Sequence, residues 1–177
     1  MTTGHKGFGP VPLPRAARVR PSVGGSWSWT ERRVLVICLV SSALVTLARI
    51  EAESAALREG IQRQAPTTLG SSSLAEAEVV RALRGYKSEA EGWDGVPAVM
   101  TQVYRIAMDP RIRALAVSWD MVGRRTRDAI HLATAESLQS DSHQRGCMVV
   151  YDVRLSAAAE ARGLATAHPG LECGSSG

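Results

Sequence analysis

An α/β fold, with a mostly parallel sheet and helices on both faces, is predicted by three observations. Apolar, β-branched runs alternate along the chain with stretches of helical periodicity. The runs at 34–40 and 147–151 are continuously apolar, as strands covered on both faces are. A chain of 177 residues with 45% hydrophobic content can bury one proper core and is too short for two comfortable ones.

Residues 1–30 are rich in Gly, Pro, Ser and Arg without apolar period, and are expected to be a disordered basic tail. One domain body is expected over 31–170, with a flexible tail at 171–177. The first strand is predicted over 34–40. A helical pattern follows through Ala43, Leu44 and Leu47 and on past Ala55, Leu57 and Ile61. Residues 67–71 read as a short strand. Ser73-Leu-Ala-Glu76 has the S-x-x-E form of a capping box, opening a helix that turns Val79, Val80 and Leu83 inward. The segment 85–108 is less defined, with helix expected around 96–104. Asp109 followed by Pro110 offers a capping side chain and a proline at the first helical position. A helix over 126–138, a strand over 147–151, a helix over 156–162 ended by Gly163 and a last strand over 165–167 complete the alternation.

The formal charge is +4 and the pI is near 9.3. Residues 1–33 hold six Lys and Arg against the single Glu31, leaving 15 basic and 16 acidic residues for the rest. The basicity therefore belongs to the tail and says little about an RNA-binding surface. The cluster Arg124, Arg125 and Arg127 reads equally well as a phosphate patch or a solvated face. Of three cysteines, Cys38 and Cys147 fall in apolar runs where a free thiol packs as a small hydrophobe, and Cys173 lies in the tail. That usage suggests a reduced, cytoplasmic setting. The apolar run at 34–48 has 15 residues, fewer than the roughly 20 a membrane-spanning helix needs, and Ser41, Ser42 and Thr46 interrupt it, so it is read as core.

A parallel sheet places ligands at the carboxyl ends of its strands. Asp152 directly follows the run 147–151, Asp128 lies in the first turn of the helix at 126, and Glu78 lies early in the helix opened by Ser73. Three carboxylates converging there would need a divalent cation, and oxygen ligands suit Mg²⁺ or Mn²⁺. Each has a structural alternative. Asp128 also complements a helix dipole, Asp152 also starts a turn or caps the next helix, and Glu78 also suits a solvated face. His131, three residues after Asp128, could reach the same face, but among Ile130, Leu132 and Ala133 a packed ring is the ordinary reading. Glu76 is assigned to the capping box.

The stretch Arg125-Thr-Arg-Asp-Ala-Ile-His-Leu-Ala-Thr-Ala135 is similar to the R-x-x-D-A-I/L-H-L-A-T-A segment of VapC-like PIN-domain toxins. Val149-Val-Tyr-Asp-Val-Arg-Leu155 resembles that family's V-T-Y-D-x-R-L, and His168-Pro-Gly170 its S-P-G ending. Upstream, residues 72–83 resemble the segment carrying the family's glutamate, which falls on Glu78, and residues 38–47 resemble the opening Y-L-D-S-S-A-L-V-K-L. The resemblance implies a PIN-like fold and a Mg²⁺-dependent endoribonuclease, the toxin of a type II toxin–antitoxin pair. It also implies an RNA substrate, a small antitoxin protein as partner and a homodimer. Of the four acids it implies, three fall on Glu78, Asp128 and Asp152, which would hold Mg²⁺ or Mn²⁺. The fourth falls on Val40, which has neither charge nor oxygen, so the resemblance leaves two expectations: a weakened ribonuclease, or an inactive module that binds antitoxin.

Overall fold

The computed structural model describes residues 35–49, 53–64, 67–85, 95–119, 125–142 and 146–168. The expected tails, Arg124 and Cys173 lie outside these residues. Among the described residues five strands form one sheet in the order β3-β2-β1-β4-β5, and every pairing is parallel. The strands are β1 (Leu35–Leu39), β2 (Thr67–Ser72), β3 (Tyr104–Ile106), β4 (Gly146–Val149) and β5 (Ala165–Ala167). β1 is central, pairing Val36 with Thr68 on one side and with Gly146 on the other. Its residues from Val36 to Leu39 are buried, which explains their unbroken apolar run.

The helices are α1 (Ser41–Ala48), α2 (Ser54–Arg63), α3 (Leu74–Arg84), α4 (Gly95–Met100), α5 (Pro110–Ser118), α6 (Thr126–Ser142) and α7 (Val153–Glu160). α6 lies across β2, β1 and β4 and carries α5 against it, while α1, α3 and α4 pack with one another. The core joins Ile37, Leu39, Leu44, Leu47, Leu83, Leu132 and Met148 across these layers. α6 is buried almost all round between Ala129 and Ala135, including Thr134, whose hydroxyl donates to the Ile130 carbonyl at 2.8 Å.

Several local expectations need correction. The single helical pattern after β1 is two helices, because the backbone at Arg49 is extended (φ −106, ψ 158). The freed carbonyls at the end of α1 are taken by α2: Ser54 Oγ donates to Thr46 O at 2.6 Å and Arg58 to Leu47 O at 2.6 Å. The capping box does not form. Ser73 sits in helical conformation with no side-chain cap, and Glu76 faces Arg105 at 3.4 Å instead. The helix expected over 96–104 stops at Met100, and Tyr104 begins β3 on the sheet edge. The last helix starts at Val153, three residues early, because Asp152 caps it. Cys38 is a buried free thiol, pushed up to about 12 by burial, as expected of a small hydrophobe. Cys147 is buried and disulfide-bonded, which corrects its reading as a free thiol.

The expected start of α5 is present, with the Asp109 carboxylate accepting from the Ile112 amide at 2.8 Å. No helix among the described residues is long and apolar enough to cross a membrane.

Candidate functional site

Every expected site position lies toward the carboxyl end of the sheet, for a topological reason. β1 and β4 run side by side and end together, Val40 N donating to Val149 O at 3.4 Å. α3 leaves the end of β2, and α6 runs back toward the start of β4, so the N-terminal turns of both helices stand over that end.

Val40 closes β1 and is the N-cap of α1, only 5% exposed and part of the apolar core. An acid here would be held in a nearly dry site. The next residue, Ser41, donates a hydrogen bond to Glu78 Oε2. His131 Nε2 lies 2.7 Å from the same oxygen and 3.1 Å from Ser41 Oγ. Since an ionised carboxylate only accepts, the Nε2 proton points at Glu78, and Ser41 shares it as an acceptor. The opposite ring nitrogen, Nδ1, is buried without a partner among the described residues. The ring is therefore held from one side, by α1 and α3.

The other oxygen of Glu78 faces Arg127, whose Nε is 3.9 Å from Oε1 and 3.6 Å from Asp128 Oδ1. Burial raises the Glu78 pKa, but the hydrogen bonds from His131 and Ser41 and the charges of His131 and Arg127 outweigh it. The carboxyl is held below its ordinary value. Arg127, read equally as part of a phosphate patch or of a solvated face, turns toward two carboxylates of its own chain.

The structure brings Glu78 and Asp128 together through Arg127 and engages one oxygen of Asp152 in a helix cap. Asp152 Oδ1 accepts from the Arg154 and Leu155 amides at 2.8 and 3.2 Å, capping α7. Among the described residues no three His, Cys, Asp or Glu side chains are grouped so as to hold a metal ion. These residues do not fit a divalent cation: position 40 offers no oxygen, Glu78 is already met by a hydroxyl, an imidazole and a guanidinium, and Asp128 shares the last of these.

The sequence allows His131 to reach the acidic face but does not show which partners His131 and Arg127 take. His131 sits at an ordinary buried helical position, and only the placement of α3 beside α6 gives its ring an acidic partner 53 residues away. Arg127 looked like its basic neighbours.

No family model matches the chain. Ribonuclease VapC35 of Mycobacterium tuberculosis is 40% identical over 135 residues, covering 76% of this chain and 98% of that protein. Ribonuclease VapC46 of the same species is 41% identical over 133 residues, covering 75% of this chain and 97% of that one. The fold is shared with VapBC2 from Rickettsia felis, solved bound to a DNA fragment from its promoter. That match has TM-score 0.57 at 12% identity and covers 75% of this chain and 98% of that one. It is shared too with VapBC-1 from nontypeable Haemophilus influenzae, with TM-score 0.55 at 13% identity over 75% and 97% of the two chains. The PIN-like fold expected from the motifs is therefore present, and the chain belongs to the VapC family.

Proposed function

We propose that this protein is the toxin-type component of a toxin–antitoxin pair, a VapC-family ribonuclease so weakened by Val40 that binding a small antitoxin protein is its main action. The observation that carries this reading is the apolar, buried side chain at the end of β1, where the resemblance implies an acid. Losing one ligand from a hard-cation site weakens metal binding, and a misplaced attacking water costs orders of magnitude in rate. The binding half of the reading is supported by the family, whose solved members named above are VapBC pairs. The protein acts in the cytoplasm as a homodimer and meets RNA at the acidic end of its sheet.

Cleavage of a structured RNA by the purified protein and by Val40→Asp, each with Mg²⁺, Mn²⁺ or EDTA, tests this reading. The natural chain is expected to cleave at least about a hundredfold more slowly than the variant, on the scale of a misplaced reacting group. Robust cleavage by the natural chain, stopped by EDTA and abolished in Asp128→Asn, would overturn it. That result would restore a Mg²⁺- or Mn²⁺-dependent endoribonuclease working through Glu78, Asp128 and Asp152.

A further inference from the structure

The Glu78 and Asp128 carboxylates carry two negative charges at one end of the sheet, and the residue between them is a cation of this chain. Arg127 Nε approaches Glu78 Oε1 to 3.9 Å and Asp128 Oδ1 to 3.6 Å. Its guanidinium stays charged at every pH a protein survives. The far oxygen of Glu78 is taken by His131 and Ser41, so both of its oxygens face donors before any ligand arrives. Val40, buried and apolar, adds no carboxylate that would shift the balance toward a dication.

We infer that Arg127 is the resident cation of this site, a guanidinium whose charge offsets Glu78 and Asp128 and keeps divalent cations out. This rests on the reading above that the site lacks its fourth acid, and it adds a second, independent barrier. A dication entering between these carboxylates meets a like charge a few ångströms away and must draw Glu78 from three donors. Arg127 is half-exposed, at 50% of its side chain, so it is free to be replaced without disturbing the core.

The two barriers separate by Mn²⁺ titration of the full chain, read by paramagnetic broadening of the Glu78 and Asp128 amide NMR signals and by calorimetry. The natural chain is expected to show no selective broadening there, while Arg127→Gln shows it at millimolar Mn²⁺. In the Val40→Asp background, Arg127→Gln should tighten Mn²⁺ about tenfold, the effect of one unit charge on a nearby dication in water-like surroundings. Arg127→Lys, which keeps the charge, should behave as the natural chain does. Because Arg127→Gln alone leaves the core untouched, the test survives a Val40→Asp chain that fails to fold. Mn²⁺ responses identical with Arg, Lys and Gln at position 127 would overturn the inference and leave the Val40 reading standing. EDTA-sensitive RNA cleavage by the natural chain would overturn both the Val40 reading and the exclusion of dications by Arg127.

Discussion

Replacing Val40 by aspartate should destabilise the folded protein markedly when no metal is present. Val40 is 5% exposed and belongs to the main apolar core, so losing its burial costs about 2 kcal/mol. A carboxylate left in that place without a counter-charge costs about 3 kcal/mol more. One term opposes these. Val40 already has the extended backbone of an N-cap (φ −77, ψ 166) and no side-chain cap, so aspartate there would satisfy an amide in the first turn of α1 and return about 1 kcal/mol. The net loss is about 4 kcal/mol, which for a domain of this size lowers Tm by about 15 °C. Thermal denaturation at pH 7 in EDTA measures it. Val40→Asn supplies the same cap without the charge and should lose about half as much. Lowering the pH should narrow the gap between the two variants, because a buried carboxyl takes up a proton more readily folded than unfolded. A Val40→Asp chain melting within a degree or two of the natural one would show that the end of β1 opens on water, and the argument from burial would fail.

Glu78 gives the acid limb of the stability profile a definite sign. Its folded pKa is depressed, so its contribution is full above the ordinary glutamate range and disappears as pH falls through the folded value. Urea denaturation between pH 7 and pH 2 should show a shallower acid loss for Glu78→Gln. Two glycines predict opposite outcomes in one melting experiment. A Cβ on Gly95 would lie 2.0 Å from the Ala48 carbonyl oxygen, a backbone atom that cannot swing aside, and Gly95→Ala should cost about 1–3 kcal/mol. A Cβ on Gly60, inside α2, meets nothing within 4 Å, and Gly60→Ala should stabilise by about 0.5–1 kcal/mol. Asp109→Ala should lower stability by about 1 kcal/mol through loss of its bond to the Ile112 amide.

What the sequence revealed was what local pattern encodes. β5 begins and ends where the apolar triplet Ala165-Thr-Ala does, and Asp109-Pro110 opens α5 as its capping chemistry requires. The break between α1 and α2 was hidden because apolar periodicity runs through it, and the hydrogen bonds that fix it come from Ser54 and Arg58, across the turn. The capping box failed for a related reason: Ser73 N donates to Ile106 O in the neighbouring β3, which sets the start of α3 by sheet contact rather than by its own side chain. For the site, motif spacing supplied three candidate acids but not their environment. Whether Glu78 faces water, a metal or His131 depends on how α3, α6 and the start of α1 converge, and their sequence separations of 37 and 53 residues leave no local trace.

Asp152 shows why such an environment decides how a site residue must be tested. It follows β4, where a ligand-binding carboxylate would emerge, and it caps α7 through two amides. An alanine there deletes charge and cap together, so lost RNA cleavage would report a loosened helix as readily as a missing catalytic group. Serine separates the two, since it caps about as well as aspartate and carries no charge. Asp152→Ser is expected to melt close to the natural chain, and Asp152→Ala about 1 kcal/mol below it. The decisive comparison is then made in the Val40→Asp background. If the carboxylate itself serves RNA cleavage, serine and alanine at position 152 should be equally inactive despite their different stabilities. If serine keeps the activity that alanine loses, Asp152 matters only as the cap of α7, and the reacting end of the sheet is built from Glu78 and Asp128 without it.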